Sequence, residues 1–138
     1  FESLCRDYIR LLNRQEQLPY RYTKIGRWWG KITKLTDGGN GHKSRRTYET
    51  EIDIMAVDHQ SKHYLLGECK YKASPFDLRD YKTLKSKWEN TGDTECSFYL
   101  FSQSGFTEQV LQLEAEEKLV CISMDQMVSR FSKSSEYR

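Results

Sequence analysis

Four residues, Glu51, Asp53, Glu68 and Lys70, are the most reactive set in the chain when read by spacing. They lie in two short segments, Glu49–Asp58 and His63–Tyr71, that are apolar and rich in β-branched and aromatic residues, so each reads as a strand. The polar linker His59–Lys62 is of a length that closes a hairpin. With Asp58 and His63 as the last pair before the turn, Asp53 falls opposite Glu68 and Glu51 opposite Lys70, all four on one face. Like charges directly opposed destabilise a sheet, and carboxylates among apolar residues need a compensating positive charge. A divalent cation supplies it, and oxygen-only ligation suits Mg²⁺ or Mn²⁺. Two acids and a lysine around a hard metal can hydrolyse a phosphodiester. The alternative is a charge ladder in which Lys70 neutralises the acids without a metal. A one-residue slip of register would also part Asp53 from Glu68.

The elements that must position these residues follow from periodicity. Phe1, Leu4, Cys5, Tyr8, Ile9 and Leu12 recur at helical spacing, which predicts a helix over 1–14 with Glu2 in its first turn. Tyr20–Ile32 contains the first strand, with Trp28 and Trp29 pointing to opposite faces. One ring is expected in the core, and an exposed Trp between Arg27 and Lys31 would be free to stack on a base. Thr36–Ser44 reads as a glycine-rich loop. It is not an ATP-binding loop, because His42 interrupts the Gly-Lys-Ser spacing. Ser74, Pro75 and Asp77 are good start residues for a helix over Phe76–Trp88, with Leu78, Tyr81, Leu84 and Trp88 inward. Asn90–Asp93 is a break. Cys96–Phe101 is a buried strand, Phe106–Glu117 a helix and Leu119–Ile122 a short strand. Ser123–Gln126 caps a final helix with the apolar stripe Met124, Met127, Val128 and Phe131, frayed from Ser132. The order α-β-β-β-α-β-α-β-α predicts an α/β fold with a mixed sheet and helices on both faces.

At 138 residues the chain is one domain, and 30% charged residues with low hydropathy describe a soluble globular protein. No apolar run reaches membrane-spanning length, and a cytoplasmic protein without membrane partners is expected. Cys5, Cys69, Cys96 and Cys121 are far apart and read as free thiols in a reducing compartment. His59 and His63 flank a turn, and His42 lacks a ligand partner, so a zinc site is not expected. The net charge of +2 hides a basic band. Arg21, Lys24, Arg27, Lys31, Lys34, Lys43, Arg45 and Arg46 stand against Asp37 alone between residues 21 and 46, which suits a phosphate backbone or a solvated loop. Lys72 extends the basic set beside Lys70. A first residue of Phe suggests a C-terminal portion of something longer.

Asp53 followed by Glu68-Cys69-Lys70 on the next strand resembles the PD-(D/E)xK signature of the restriction-endonuclease-like superfamily. Ile52 stands where the naming proline would be. The helix after the hairpin also lacks the glutamine of resolvase-like and RecB-like branches, which argues against those activities. Phe1-Glu2, Arg27-Trp28-Trp29-Gly30-Lys31, Glu51-Ile52-Asp53 and Gly67-Glu68-Cys69-Lys70 occur in an order similar to the C-terminal domain, of unassigned function, of prokaryotic ATPases of the archaeal type. The resemblance covers nearly the whole chain.

It implies a restriction-endonuclease-like fold over residues 1–138, attached to an N-terminal P-loop ATPase module. It implies that Asp53 and Glu68 ligate Mg²⁺ or Mn²⁺, with the carbonyl of Cys69 as a third ligand and Glu2 joining directly or through water. Lys70 would orient the attacking water and stabilise charge on the phosphate. Glu51 is either a neighbour of the ligands or the partner that positions Lys70. Arg27, Lys31, Lys43, Arg45, Arg46 and Lys72 would hold DNA or another nucleic acid. The competing expectation is a catalytically silent module that binds nucleic acid, forms a homo-oligomer or regulates the ATPase.

Overall fold

The structure, a computed structural model, describes residues 1–37, 41, 43–89, 95–116 and 119–135. The elements run α1 (Glu2–Arg14), β1 (Lys24–Asp37), β2 (Lys43–Val57), β3 (His63–Lys70), α2 (Leu78–Glu89), β4 (Glu95–Ser102), α3 (Glu108–Glu116), β5 (Leu119–Ser123) and α4 (Met124–Ser135). The five strands form one sheet in the order β1-β2-β3-β4-β5. Pairing is antiparallel from β1 to β3 and parallel from β3 to β5, so the sheet is mixed as expected. The β2–β3 hairpin comes from a short polar turn, and the parallel half needs the crossovers that α2 and α3 supply.

Each face of the sheet is buried by its own pair of helices. Cys5, Tyr8, Ile9 and Leu12 of α1 and Met127 of α4 pack on Ile54, Ala56, Leu65, Tyr99, Phe101 and Ile122. Tyr81 and Leu84 of α2 and Val110 of α3 pack on Ile52, Leu66, Phe98, Leu100, Leu119 and Cys121. Strand alternation explains this division everywhere except in β2, where Ile52 and Ile54 belong to opposite cores although they are two residues apart. The register explains the exception. Gly26 pairs with Met55 and Trp28 with Ile52, so Arg27 alone opposes Asp53 and Ile54. This β-bulge inverts the facing of β2 at Asp53.

Several boundaries differ from the sequence expectation. β1 runs on to Asp37 and β2 starts at Lys43, so both ends of the expected loop, Thr36–Asp37 and Lys43–Ser44, belong to a long two-stranded ribbon. Gly38, Gly39, Asn40 and His42 lie outside the described residues, as does the break at Asn90–Asp93. α2 begins at Leu78 and α3 at Glu108, each two residues later than expected. Phe76 and Phe106, expected at the helix starts, instead form a parallel bridge. The Phe76 N–H donates to the Gly105 carbonyl and the Thr107 N–H to the Phe76 carbonyl, with the Phe76 ring fully buried. Asp77, not Ser74, caps α2: the Asp80 N–H donates to Asp77 Oδ1 (2.9 Å) and the Asp77 N–H to Asp80 Oδ2 (3.0 Å). Ser123 and Gln126 make the reciprocal cap of α4 as read. That helix continues past Ser132, and Val128 is half exposed rather than part of the core.

Candidate active site at the split between β2 and β3

The tight turn Asp58–His63 sets the hairpin register. The Asp58 N–H donates to the His63 carbonyl, and the Asp58 carboxylate accepts the N–H groups of Lys62 and His63 and faces the His63 ring at 2.8 Å. These bonds, led by the one from His63, hold the Asp58 carboxyl down at about 2. From there the ladder runs Val57↔Tyr64, Ala56↔Leu65, Met55↔Leu66 and Ile54↔Gly67, the register expected from the turn. Gly67 at its end packs closely on Ile54: a Cβ there would lie 3.0 Å from the Ile54 side chain, which would have to shift by a few tenths of an ångström.

Beyond that rung the strands separate, because β2 turns at its bulge to follow β1. Asp53 and Glu68 come next in sequence but share no ladder bond. Instead the Asp53 side chain fills the split: its Oδ2 accepts the Cys69 N–H at 2.9 Å, and the residue is 5% exposed. Arg6 of α1 reaches the Asp53 carbonyl at 3.5 Å. The expected pairing of Glu51 with Lys70 does not form. Glu51 pairs with Trp29 across β1, and the β2–β3 ladder has already ended.

The two central acids share one environment. Burial pushes the Glu68 carboxyl up to about 8, and the adjacent Asp53 charge and a hydrogen bond with Asp53 add to the rise. Burial likewise raises Asp53, opposed by its bond from Cys69. Glu68 Oε2 is buried without a hydrogen-bond partner among the described residues. The nearest cation is Lys87 of α2, whose Nζ stands 3.8 Å from that oxygen and donates to the Glu51 carbonyl at 2.9 Å. Lys87 favours the ionised form of both acids.

Lys70 faces the start of α2. Its Nζ donates to Asp80 Oδ2 (2.6 Å) and to the Pro75 carbonyl (3.0 Å), so Asp80, not Glu51, positions it. Glu2 is held by Arg27 at 2.7 Å, although its charge reaches Asp53 and helps raise that carboxyl. The Cys69 thiol points to the opposite face, where its hydrogen bond to Cys5 and burial push its pKa well up. All four cysteines are free thiols, and the Cys69 sulfur is unsuited to a hard cation.

A cavity of about 620 Å³ opens over these groups, lined by Glu2, Arg6, Arg27, Glu68, Lys70 and Lys72 among others. The structure therefore brings Asp53, Glu68, Cys69, Lys70, Glu2, Arg27 and Lys72 to one place. Lys31, Arg45 and Arg46 lie exposed on the ribbon and do not line this cavity, and the Lys43 side chain lies outside the described residues. Trp29 is 67% exposed with the Arg27 guanidinium over its ring, while Trp28 packs inward across Gly30.

Asp80 is not named by the sequence reading, and Lys87 reads there, with Arg79, Lys82 and Lys85, only as a base outside the inner stripe of its helix, on a solvated face or against a phosphate. Positions 80, 84 and 87 share one face of the helix, which marks them as a set without saying what they meet.

No group of three or more His, Cys, Asp or Glu side chains capable of holding a metal ion is found among the described residues. The side-chain donor set is two carboxylates. One of them has a buried oxygen that takes no hydrogen bond among the described residues, which fits a hard cation that keeps water or substrate oxygens in its other positions.

Known proteins place this chain in a family without placing its chemistry. It is 27% identical over 133 residues to the uncharacterized protein MJECL04 of Methanocaldococcus jannaschii, a match covering 91% of this chain and 24% of that protein. The chain thus spans about a quarter of that relative's length. Among solved structures it is similar to a repair endonuclease from Pyrococcus abyssi, with a TM-score of 0.45 and 20% identity, covering 90% of this chain and 46% of the other. Residues 1–91 match DUF234, described as archaea bacterial proteins of unknown function. With the match extending over more than half of its length, the chain belongs to the DUF234 family.

Proposed function

We propose that this chain is a metal-dependent nuclease domain of the restriction-endonuclease type that hydrolyses DNA phosphodiester bonds. The observation that carries the reading is the buried Asp53–Glu68 pair at the split between β2 and β3, with one proton's worth of charge withheld at Glu68. A pair so placed is costly as structure alone, because two carboxyl groups are desolvated together. It becomes useful where a divalent cation takes the proton's place.

In this reading Asp53 and Glu68 would hold Mg²⁺ or Mn²⁺, with the Cys69 carbonyl as a third ligand and Glu2 joining directly or through water. The cation supplies Lewis-acid polarisation of the phosphoryl oxygen and a water of lowered pKa. The Cys69 N–H fixes the Asp53 carboxylate, and Glu68 would hold the cation in its ionised form. Lys70 spends two of its three donors on Asp80 and Pro75, leaving one for a phosphate oxygen or the attacking water. Arg27, Lys72 and the ribbon residues Lys31, Lys43, Arg45 and Arg46 contribute positive charge for the nucleic-acid backbone. An N-terminal P-loop ATPase module in the same polypeptide and a cytoplasmic setting complete the proposal. The fourfold greater length of the relative is compatible with such a module.

One observation favours a second reading. Lys70 is already paired with Asp80, and Lys87 already faces Glu68, so the cluster has protein counter-charges. A catalytically silent module that binds nucleic acid, dimerises or regulates the ATPase would need nothing more. Conversion of supercoiled plasmid to nicked circles in Mn²⁺ separates the two. The nuclease reading predicts cleavage that falls at least about a hundredfold in Asp53→Ala. Binding of DNA without cleavage by the wild type would favour the silent module.

A further inference from the structure

The first cavity does not account for a second and larger one, which has no assigned role. It lies between α2 and the β1–β2 ribbon, has a volume of about 710 Å³, and is lined by Tyr48, Thr50, Arg79, Lys82, Thr83 and Lys87 among others. The ribbon makes this cleft by overhanging the sheet. β1 and β2 stay paired out to Asp37↔Lys43, whereas β3 covers β2 only as far as Ile54. Tyr48, Glu49 and Thr50 of β2 form the cleft's ribbon wall, so one acid stands there against the bases Arg79, Lys82 and Lys87 of the helix wall.

Three features of this cleft suit one chemistry. Arg79 and Lys82 stand exposed along its helix wall, and neither takes part in an ion pair among the described residues. Opposite them Tyr48 is 44% exposed, an aromatic face kept in water with no ring partner among the described residues. At the inner end, Thr83 lines both this cleft and the cavity over Glu68, so the two spaces adjoin. Lys87 stands at the same end with its ammonium 3.8 Å from Glu68. Cations for phosphates, an aromatic face for a base and a passage to the acidic pair match a polyanion that carries π-faces.

The geometry points to this cleft as a binding groove for one strand of single-stranded nucleic acid, which it delivers to the Asp53–Glu68 centre. A base stacks on an exposed aromatic face only where it is unpaired, so Tyr48 selects a single strand over a duplex. The strand's phosphates lie along Arg79 and Lys82, and a base stacks on Tyr48. Only the strand's destination rests on the nuclease reading; the binding itself does not.

The test is fluorescence anisotropy of a labelled oligothymidylate and of a duplex of equal length, in EDTA, so that no metal chemistry enters. The wild type is expected to prefer the single strand. Arg79→Glu combined with Lys82→Glu should weaken that binding at least about tenfold, and Lys82→Ala with Arg79→Ala should lower the salt slope by about 1.4, the value for two phosphate contacts on a single strand. Tyr48→Ala should weaken it about tenfold at unchanged salt slope. All these positions are exposed, and thermal melting checks that the variants stay folded. Equal affinity for duplex, indifference to charge reversal, or no binding by the wild type would each overturn the groove. Mn²⁺ calorimetry on the charge-reversed variant keeps the two claims apart. Strand binding by a wild type that takes up no Mn²⁺ sinks the nuclease centre and leaves the groove standing.

Discussion

At the scale of single residues, the site is governed by Glu68. Its carboxyl stands at about 8 against an ordinary 4.5, with burial the first cause and Asp53 the second. The folded state therefore favours the neutral acid. Its contribution to stability is full below pH about 4.5 and is lost as pH rises through about 8. Melting temperature measured from pH 4.5 to 9 should fall through this window in the wild type, and Glu68→Gln should flatten the fall. A slope unchanged by that substitution would place its origin elsewhere. The nearness of Asp53 to Glu68 was legible from the turn, because Asp58 and His63 fix the pairing. The Lys87 ammonium was not, since contact between α2 and the end of β3 depends on tertiary packing.

At the scale of elements, the bulge in β2 and the start of α2 decide where charges meet. The bulge carries Asp53 into the split and sends Glu51 towards β1, which is why the expected Glu51–Lys70 pair does not form. No residue in Glu49–Asp58 announces it, because a bulge depends on which strand lies opposite. The α2 start was misread by two residues because Pro75 and Phe76 resemble a first turn, whereas the Phe76 ring is drawn into the bridge with Phe106. Asp80 then serves twice, closing the cap with Asp77 and holding Lys70. Asp80→Ala should cost about 1–2 kcal/mol in urea denaturation, the range for a lost cap with an accompanying charged hydrogen bond. Asp80→Asn should cost less, because the amide oxygen can still accept the Asp77 N–H. Equal stability of the alanine variant and the wild type would contradict the dual role.

For the molecule as a whole, alternation and helical periodicity were enough to read the mixed sheet with helices on both faces. Leu65 and Leu66, or Phe98 and Tyr99, sit side by side in sequence and are each buried, which only a strand between two helical layers allows. The ribbon was less legible. Its residues 44–49 are exposed on both faces, so no core alternation marks them as strand. The described helices include none long and apolar enough to cross a membrane. Two cavities, one over the acidic pair and one beside the ribbon, share the α2 wall, and this single helix supplies Asp80, Thr83 and Lys87 to them.

The central claim is that Asp53 and Glu68 hold a divalent cation in place of a proton. Calorimetric titration with Mn²⁺ at pH 7, repeated in two buffers of different ionisation enthalpy, tests it most directly. The account predicts one bound ion, release of about one proton from Glu68, and loss of binding in Asp53→Ala. Absence of binding at millimolar Mn²⁺, or binding untouched by Asp53→Ala, would contradict it and leave the cluster a set of structural ion pairs.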